Sequence, residues 1–168
     1  MILFYRIKQF YWAVTSRINE HDSKFIKNIL NTEELKLFNK LSINEQKHCV
    51  KVAYDAECIC NSKQGIVDKK LLLKAALLHD IGKIHRKLNL IDKSVIVLMD
   101  RISKGKLRKF SQNPKINVYY NHSKIGVDLL KKIEYDKKLF YLIENHDNKD
   151  SEDTNLELKI LKYYDKRN

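Results

Sequence analysis

Apolar residues recur every three or four positions along most of the chain, which predicts α-helices rather than strands. The clearest case is KKLLLKAALLHDIG, residues 69–82, which is apolar on nearly every side. A helix of this kind is buried on all faces, so we expect it at the centre of the fold. Gly82 is expected to end this helix as a C-terminal stop.

Helix-capping residues precede several of the other periodic segments. The predicted pairs and single caps are Asn31 with Glu34, Ser42 with Glu45, Thr154 with Glu157, and Asp68 ahead of the central helix. Further helices are predicted from about Asp92 and over three C-terminal segments, separated by a basic loop that contains the only proline.

The helix predicted to begin after Ser42 has His48 at the edge of its apolar stripe, and we expect Gly65 to end it. Its stripe consists of Cys49, Val52, Ala53, Ala56 and Cys60.

Residues 1–18 also show helical spacing but are too short and too charged to cross a bilayer. We expect that segment to pack on the core; the alternative is a helix at a membrane surface. The predicted organisation is one structural domain, with N-terminal helices over residues 1–41 and the main unit over 42–168.

Composition supports an all-α, single-domain helical bundle, because 168 residues include one proline and four glycines. The net charge of +12 comes from lysines spread along the whole chain, which favours anionic ligands in general and makes a nucleic-acid partner a weaker expectation. The odd number of cysteines and the absence of a signal-peptide pattern predict a cytoplasmic protein. Cys58 and Cys60 would lie on different helix faces, which disfavours a shared metal.

His79 and Asp80 follow directly on the central apolar helix, where burial is costly unless something compensates the charge. We expect no lysine or arginine beside Asp80 inside the bundle, so a metal is the expected compensation. Imidazoles and carboxylates bind Zn, Fe, Mn or Co, and the two oxygens of an aspartate can bridge two ions. Other helices must supply the remaining ligands, and the candidates are His48, His122, His146 and Asp165.

The ordered series His48, His79-Asp80 and Asp165, with HDIGK at its middle, resembles the HD superfamily of metal-dependent phosphohydrolases. The resemblance covers most of the chain, from His48 to Asp165. His122 and His146, between the doublet and the last aspartate, are similar to the extra ligands of the branch that holds two metals. The fold that the resemblance implies is the helical bundle of the HD-domain type.

The resemblance implies that one metal is held by His48, His79, Asp80 and Asp165, and a second by His122, His146 and the other oxygen of Asp80. The implied cofactors are two divalent transition-metal ions, iron first, with Mn, Zn, Co, Ni or Mg as alternatives. Asp80 and Lys83 are the implied catalytic residues, with Lys83 facing the substrate phosphate. His21 and His85 have no identifiable partners. Asp147, Glu152 and Asp153 are expected at the surface, although Asp147 lies beside His146.

Two divalent ions and two aspartates leave a site of positive charge, which favours phosphoester hydrolysis by a hydroxide that the metals activate. The Gly-Tyr-Pro element of the cyclic-dinucleotide branch and the Glu-Asp of the alarmone branch are absent after the doublet. A nucleotide or other small phosphoester is the expected substrate.

The basic loop could close over a polyanion with Lys104, Lys106, Arg108 and Lys109, but a solvated loop is the simpler interpretation. Two alternatives stay open: an HD-type di-iron oxygenase and a non-catalytic ligand-binding module. The sequence does not indicate an oligomeric state.

Overall fold

A computed structural model describes residues 17–62, 66–133, 136–148 and 154–168. These residues form eight α-helices, two 3-10 helices and no β-strand. The α-helices are α1 (Glu20–Ile29), α2 (Thr32–Phe38), α3 (Ile43–Ser62), α4 (Lys69–Leu78), α5 (Leu90–Ile102), α6 (Pro114–Leu130), α7 (Lys137–Asn145) and α8 (Leu156–Arg167). The 3-10 helices are Ile81–His85 and Lys106–Phe110. The predicted all-α bundle is confirmed.

Helix α4 lies at the centre of the bundle, as its sequence predicts. It contacts α1, α3, α7 and α8. Its side chains Leu72, Leu77 and Leu78 are fully buried. The core also includes Ile26 of α1 and Phe38 of α2, so these two helices share one hydrophobic cluster with the rest of the bundle. The division of the chain at residue 41 stays a prediction.

The chain turns sharply after α4, and this turn differs from the expected stop at Gly82. Helix α4 ends at Leu78, and Gly82 lies inside the following 3-10 helix without a left-handed backbone. That 3-10 helix packs closely on α6. A Cβ at Gly82 would lie 1.9 Å from the carbonyl oxygen of His122. Gly82 is therefore needed for close approach to α6 rather than for ending a helix.

The predicted caps are right in part. Asn31 and Glu34 form a full capping box, and the Asp68 side chain accepts from the backbone N–H of Leu71. Helix α8 is capped by Asn155, so the prediction of Thr154 is wrong by one residue. At α3, the Ser42 hydroxyl donates to the Glu45 carboxylate over 2.8 Å instead of accepting from the backbone.

The stripe of α3 is buried as predicted, from Cys49 to Cys60. The three cysteines of this helix are free thiols, and Cys58, outside the stripe, is exposed. The basic loop contains a 3-10 helix, with Pro114 as the first residue of α6. The helix predicted over residues 1–18 falls almost wholly outside the described residues, as does Gly65. Among the described helices, none has both the length and the apolar character that a membrane span requires.

Candidate metal centre

Six side chains from five α-helices and the turn after α4 converge at one place in the bundle. His48 lies in the first third of α3, His122 in α6 and Asp165 in α8, while His79 and His146 each follow the last residue of a helix. Asp80 opens the 3-10 helix. Every one of these residues is a ligand candidate from the sequence, and the structure brings all of them together. They form three overlapping groups whose possible ligand atoms lie within 4.8 Å of one another: His48, His79 and Asp80; His79, His146 and Asp165; and Asp80, His122 and His146.

The two oxygens of Asp80 face different pairs of imidazoles. Oδ2 lies 3.9 Å from Nε2 of His48 and 3.6 Å from Nε2 of His79. Oδ1 lies 3.4 Å from Nε2 of His122 and 4.0 Å from Nε2 of His146. The side chain is almost completely buried. Asp80 therefore stands between two groups of imidazole donors, one on each carboxylate oxygen.

Asp165 approaches the same centre from α8. Its Oδ1 lies 2.9 Å from Nε2 of His48 and 3.4 Å from Nε2 of His79. Burial would raise the pKa of Asp165, but the hydrogen bond with His48 holds that pKa well below its usual range. Asp165 is therefore a carboxylate at neutral pH, on the side of Asp80 that faces His48.

Three of the imidazoles are held by backbone carbonyls in the same way. Nδ1 of His79 lies 2.9 Å from the Ala76 oxygen, and Nδ1 of His146 lies 2.7 Å from the Ile143 oxygen. His122 makes the same three-residue contact with Tyr119 at 3.3 Å. A carbonyl only accepts, so each Nδ1 donates a proton, and each Nε2 presents a lone pair to the centre whenever the imidazole is neutral.

The positions of these protons bear on whether a cation fits between the six side chains. Nε2 of His79 is buried, and the described residues offer it no hydrogen-bond partner. Nε2 of His122 and Nε2 of His146 are 3.3 Å apart. With the protons on Nδ1, these two lone pairs repel each other unless a positive ion lies near both. The donor set, its burial and its uncompensated lone pairs therefore fit a metal.

The pKa values of two of the histidines suit neutral ligands. Burial, together with the neighbouring His79 and His122, lowers the pKa of His146 to about 3. Burial and the ammonium of Lys83 lower the pKa of His122. For His79, burial is outweighed by the negative charge of Asp80, which raises its pKa well above the usual value. A proton therefore competes with a metal more strongly at His79 than at the other two.

Lys83 corrects the expectation that Asp80 has no cation beside it. The 3-10 helix places Lys83 one turn after Asp80, and its Nζ lies 2.5 Å from Oδ2. Burial disfavours the charged form of both side chains, but the attraction between the two charges is stronger. Lys83 holds the pKa of Asp80 far below its usual range, and Asp80 raises the pKa of Lys83. The tight 3-10 turn brings the side chain of Lys83 back to the carboxylate three residues before it.

The sequence did not identify Gly82 and Gly126 as residues that shape the site. A Cβ at Gly126 would lie 3.0 Å from Ile81 Cγ2 and 3.1 Å from the backbone nitrogen of Gly82. These two glycines let the turn that carries Asp80 lie against the helix that carries His122. An isolated glycine inside the periodic pattern of α6 is a signal for such close packing. Cys49, whose thiol pKa is raised by burial, also adjoins His79 and was assigned only to the core.

None of the other candidates that the structure describes belongs to the converging set. Asp147 is exposed, as expected, while Glu152 and Asp153 lie outside the described residues. His21 contacts the Tyr54 hydroxyl over 2.8 Å, and His85 is exposed. The basic-loop residues Lys104, Lys106, Arg108 and Lys109 are also exposed.

Comparison with known families agrees with this geometry. The family model described as HD domain matches residues 46–167, which include all six converging side chains. No curated protein matches the chain, and no solved structure does. HD domains bind divalent metals, and most of them are phosphohydrolases. The chain belongs to the HD domain family.

Proposed function

We propose that this protein is a phosphohydrolase that uses two divalent metal ions to hydrolyse a nucleotide or another small phosphoester. The observation that carries the proposal is the division of Asp80 between two groups of imidazoles, with His48 and His79 on Oδ2 and His122 and His146 on Oδ1. A single ion would need only one of these groups. A buried carboxylate with donors on both oxygens suits a pair of ions.

The proposed ligands divide accordingly. His48, His79, Asp165 and Oδ2 of Asp80 would hold one ion, and His122, His146 and Oδ1 of Asp80 would hold the other. Nitrogen and carboxylate donors of this kind suit iron first in our proposal, with Mn, Zn, Co, Ni or Mg as alternatives. Divalent ions at such a site supply Lewis acidity for the attack of water on phosphorus.

The exposure of the ligands indicates where a substrate enters. His79, Asp80 and His146 are buried, whereas the side chains of His48 and Asp165 are 23% and 24% exposed. The side chain of Lys83 is also 24% exposed. These three residues therefore line the accessible side of the centre. We assign to Lys83 the binding of a substrate phosphate oxygen, since its ammonium lies at this opening and stays protonated.

The charge of the donor set favours an anionic substrate. Two carboxylates and four neutral imidazoles contribute two negative charges, fewer than a pair of divalent ions carries. The excess of positive charge, together with Lys83, suits a phosphate group. The backbone contacts at Nδ1 hold three imidazoles in place, so little reorganisation of the chain is needed on binding.

The test combines metal analysis with an activity panel. Protein purified without chelators and reconstituted with each metal should bind two ions per chain and hydrolyse at least one of a panel of nucleotides and small phosphoesters. Asp80→Asn should lose activity by about a hundredfold or more, because it removes the shared charged ligand. Asp128→Asn, at an exposed aspartate of α6, is the matched control and should behave as wild type.

Two results would contradict the proposal. One is a stoichiometry below one ion per chain after reconstitution, and the other is turnover that Asp80→Asn leaves unchanged. The panel is run with and without oxygen, because hydrolysis persists without oxygen. Turnover that requires oxygen would assign the centre to oxygenase chemistry instead.

A further inference from the structure

Helix α5 turns most of its large apolar side chains toward solvent. They follow one another at intervals of four, three, one and three residues, which places them on one side of the helix. Ile96, on the other side, is buried and anchors the helix to the bundle. The exposed set, which we term the α5 face, is completed by Phe110 and consists of Ile91, Val95, Leu98, Met99, Ile102 and Phe110, with exposures between 48% and 75%.

The α5 face is continuous from the helix to the neighbouring 3-10 helix. Met99 and Phe110 line the same open groove of about 590 Å³, together with Leu107 and Ile116. Ile102 is the last residue of α5 and lies next to the turn that leads into Lys106–Phe110. A contiguous exposed apolar patch is a feature that often marks an interaction surface.

Positive charge borders this apolar surface at the C-terminal end of α5. Arg101, Lys104, Lys106 and Lys109 are all exposed on the end of α5 and on the segment that carries Phe110. The acidic residues of α5 are turned toward other partners. Asp92 accepts from Lys115 over 2.6 Å, and Asp100 accepts from the Tyr120 hydroxyl. The α5 face therefore presents apolar groups and cations together, with the nearby carboxylates already paired.

We propose that the α5 face docks on the surface of a bilayer that contains anionic phospholipids. An apolar stripe bordered by lysine and arginine is suited to such a surface, because the apolar side chains enter the headgroup region while the cations contact lipid phosphates. The protein would lie on the membrane without crossing it. This docking is independent of the metal centre and of the proposed hydrolase activity.

Charge disfavours a second copy of the chain as the occupant. Two α5 faces paired in parallel would bring Arg101 and Lys104 of both copies together. An antiparallel pair would bring them against Arg86 and Lys87, which are exposed just before α5. Both arrangements place cations against cations, whereas an anionic lipid surface neutralises them.

The first test is vesicle flotation with the full chain. Vesicles of phosphatidylcholine alone are compared with vesicles that contain about one-third phosphatidylglycerol. We expect binding to the anionic vesicles only. Leu98→Ser combined with Ile102→Ser should weaken it about tenfold or more, since both apolar anchors are lost. Ile43→Ser combined with Ile66→Ser is the matched control at apolar residues that are 49% and 68% exposed elsewhere, and should bind as wild type.

A second pair of variants separates local from overall charge. Lys104→Glu, Lys106→Glu and Lys109→Glu together should abolish flotation. Lysine-to-glutamate changes at the exposed residues Lys27, Lys132 and Lys159 alter the net charge equally but should leave most of the vesicle binding. Equal loss in both triples would overturn the proposal, because net charge alone would then explain the binding. A wild-type dimer in light scattering that Leu98→Ser with Ile102→Ser dissociates would also overturn it in favour of a second copy. Binding to an acidic protein without binding to vesicles would overturn it as well.

Discussion

Lys83 donates from Nζ to Oδ2 of Asp80 over 2.5 Å, and the same oxygen faces the imidazoles of His48 and His79. The chain thus places a cation of its own on a ligand atom of the candidate metal centre. The pair compensates the buried carboxylate when no metal is bound. A metal at Oδ2 must share that oxygen with Lys83 or replace it.

Removing the charge of Lys83 should lower the free energy of unfolding of the metal-free protein and raise its affinity for metal. In Lys83→Met we expect a loss of about 1–3 kcal/mol in the metal-free form, because Asp80 stays buried without its partner. Metal affinity should rise, since no ammonium competes for Oδ2. Calorimetric metal titrations and thermal melts with and without metal measure both effects. Lys131→Met, at an exposed ion pair of the same spacing with Asp128, is the control. Weaker metal binding in Lys83→Met would contradict the competition.

His122→Ala should reduce metal content from two ions to one per chain. His122 lies on the Oδ1 side of Asp80, so its loss removes a ligand of one proposed ion and leaves His48, His79 and Asp165 in place. Elemental analysis after reconstitution gives the stoichiometry. His21→Ala, at an exposed histidine on α1, is the control. Unchanged stoichiometry in His122→Ala would replace the two-metal proposal with a one-metal site.

Gly82→Ala should affect metal binding beyond its effect on stability. The new Cβ would meet the backbone of α6 at His122, so the helix must move and carry that imidazole with it. We expect destabilisation of about 1–3 kcal/mol and loss of the ion on the Oδ1 side. Gly126→Ala, whose Cβ meets its neighbours at 3.0 Å, should show a smaller effect.

Gly105→Ala is the control for this series. Gly105 has a φ of 81° and open space around the position of a Cβ, so the substitution strains the backbone far from the metal ligands. It should lower the melting temperature and keep both metals. Metal content that follows the melting temperature across all three variants would rule out a specific role for Gly82.

Tyr54 should make stability depend on pH in the alkaline range. Its hydroxyl donates to Asp22 over 3.0 Å; burial and that carboxylate raise the pKa of Tyr54 to about 12. A group whose pKa is higher in the folded state stabilises the folded protein fully at any pH below its unfolded pKa. For Tyr54 the unfolded pKa is about 10, so this stabilisation is lost as the pH rises from there to about 12. Chemical unfolding at several pH values should show this loss in the wild type and its absence in Tyr54→Phe. Tyr163→Phe, on an exposed part of α8, should retain it.

The convergence of the candidate ligands could be predicted because it depends on residue type, order and helical spacing. The apolar pattern of α4 placed His79 and Asp80 at the end of a buried helix, and the structure brings His48, His122, His146 and Asp165 to them. The central position of α4 was predictable for the same reason, since a helix that is apolar on all sides has to be enclosed.

The errors concern details that depend on backbone geometry. Lys83 was expected to stand apart from Asp80, but the chain continues from α4 into a 3-10 turn that returns its side chain to the carboxylate. Gly82 was interpreted as a helix stop because periodicity does not reveal how closely two helices approach. Thr154 was predicted to cap α8, but Asn155 does so. Both side chains can accept hydrogen bonds from the first backbone N–H groups of the helix, and only the path of the backbone decides between them.

The hydrogen bond between His48 and Asp165 joins residues 117 positions apart. Closing a chain segment of this length costs about 4 kcal/mol of entropy, which local contacts cannot offset early in folding. α3 and α8 must therefore dock before these two side chains meet. In a refolding reaction, helical signal would precede the capacity to bind metal, and metal would stabilise the folded chain without speeding the first steps of its formation.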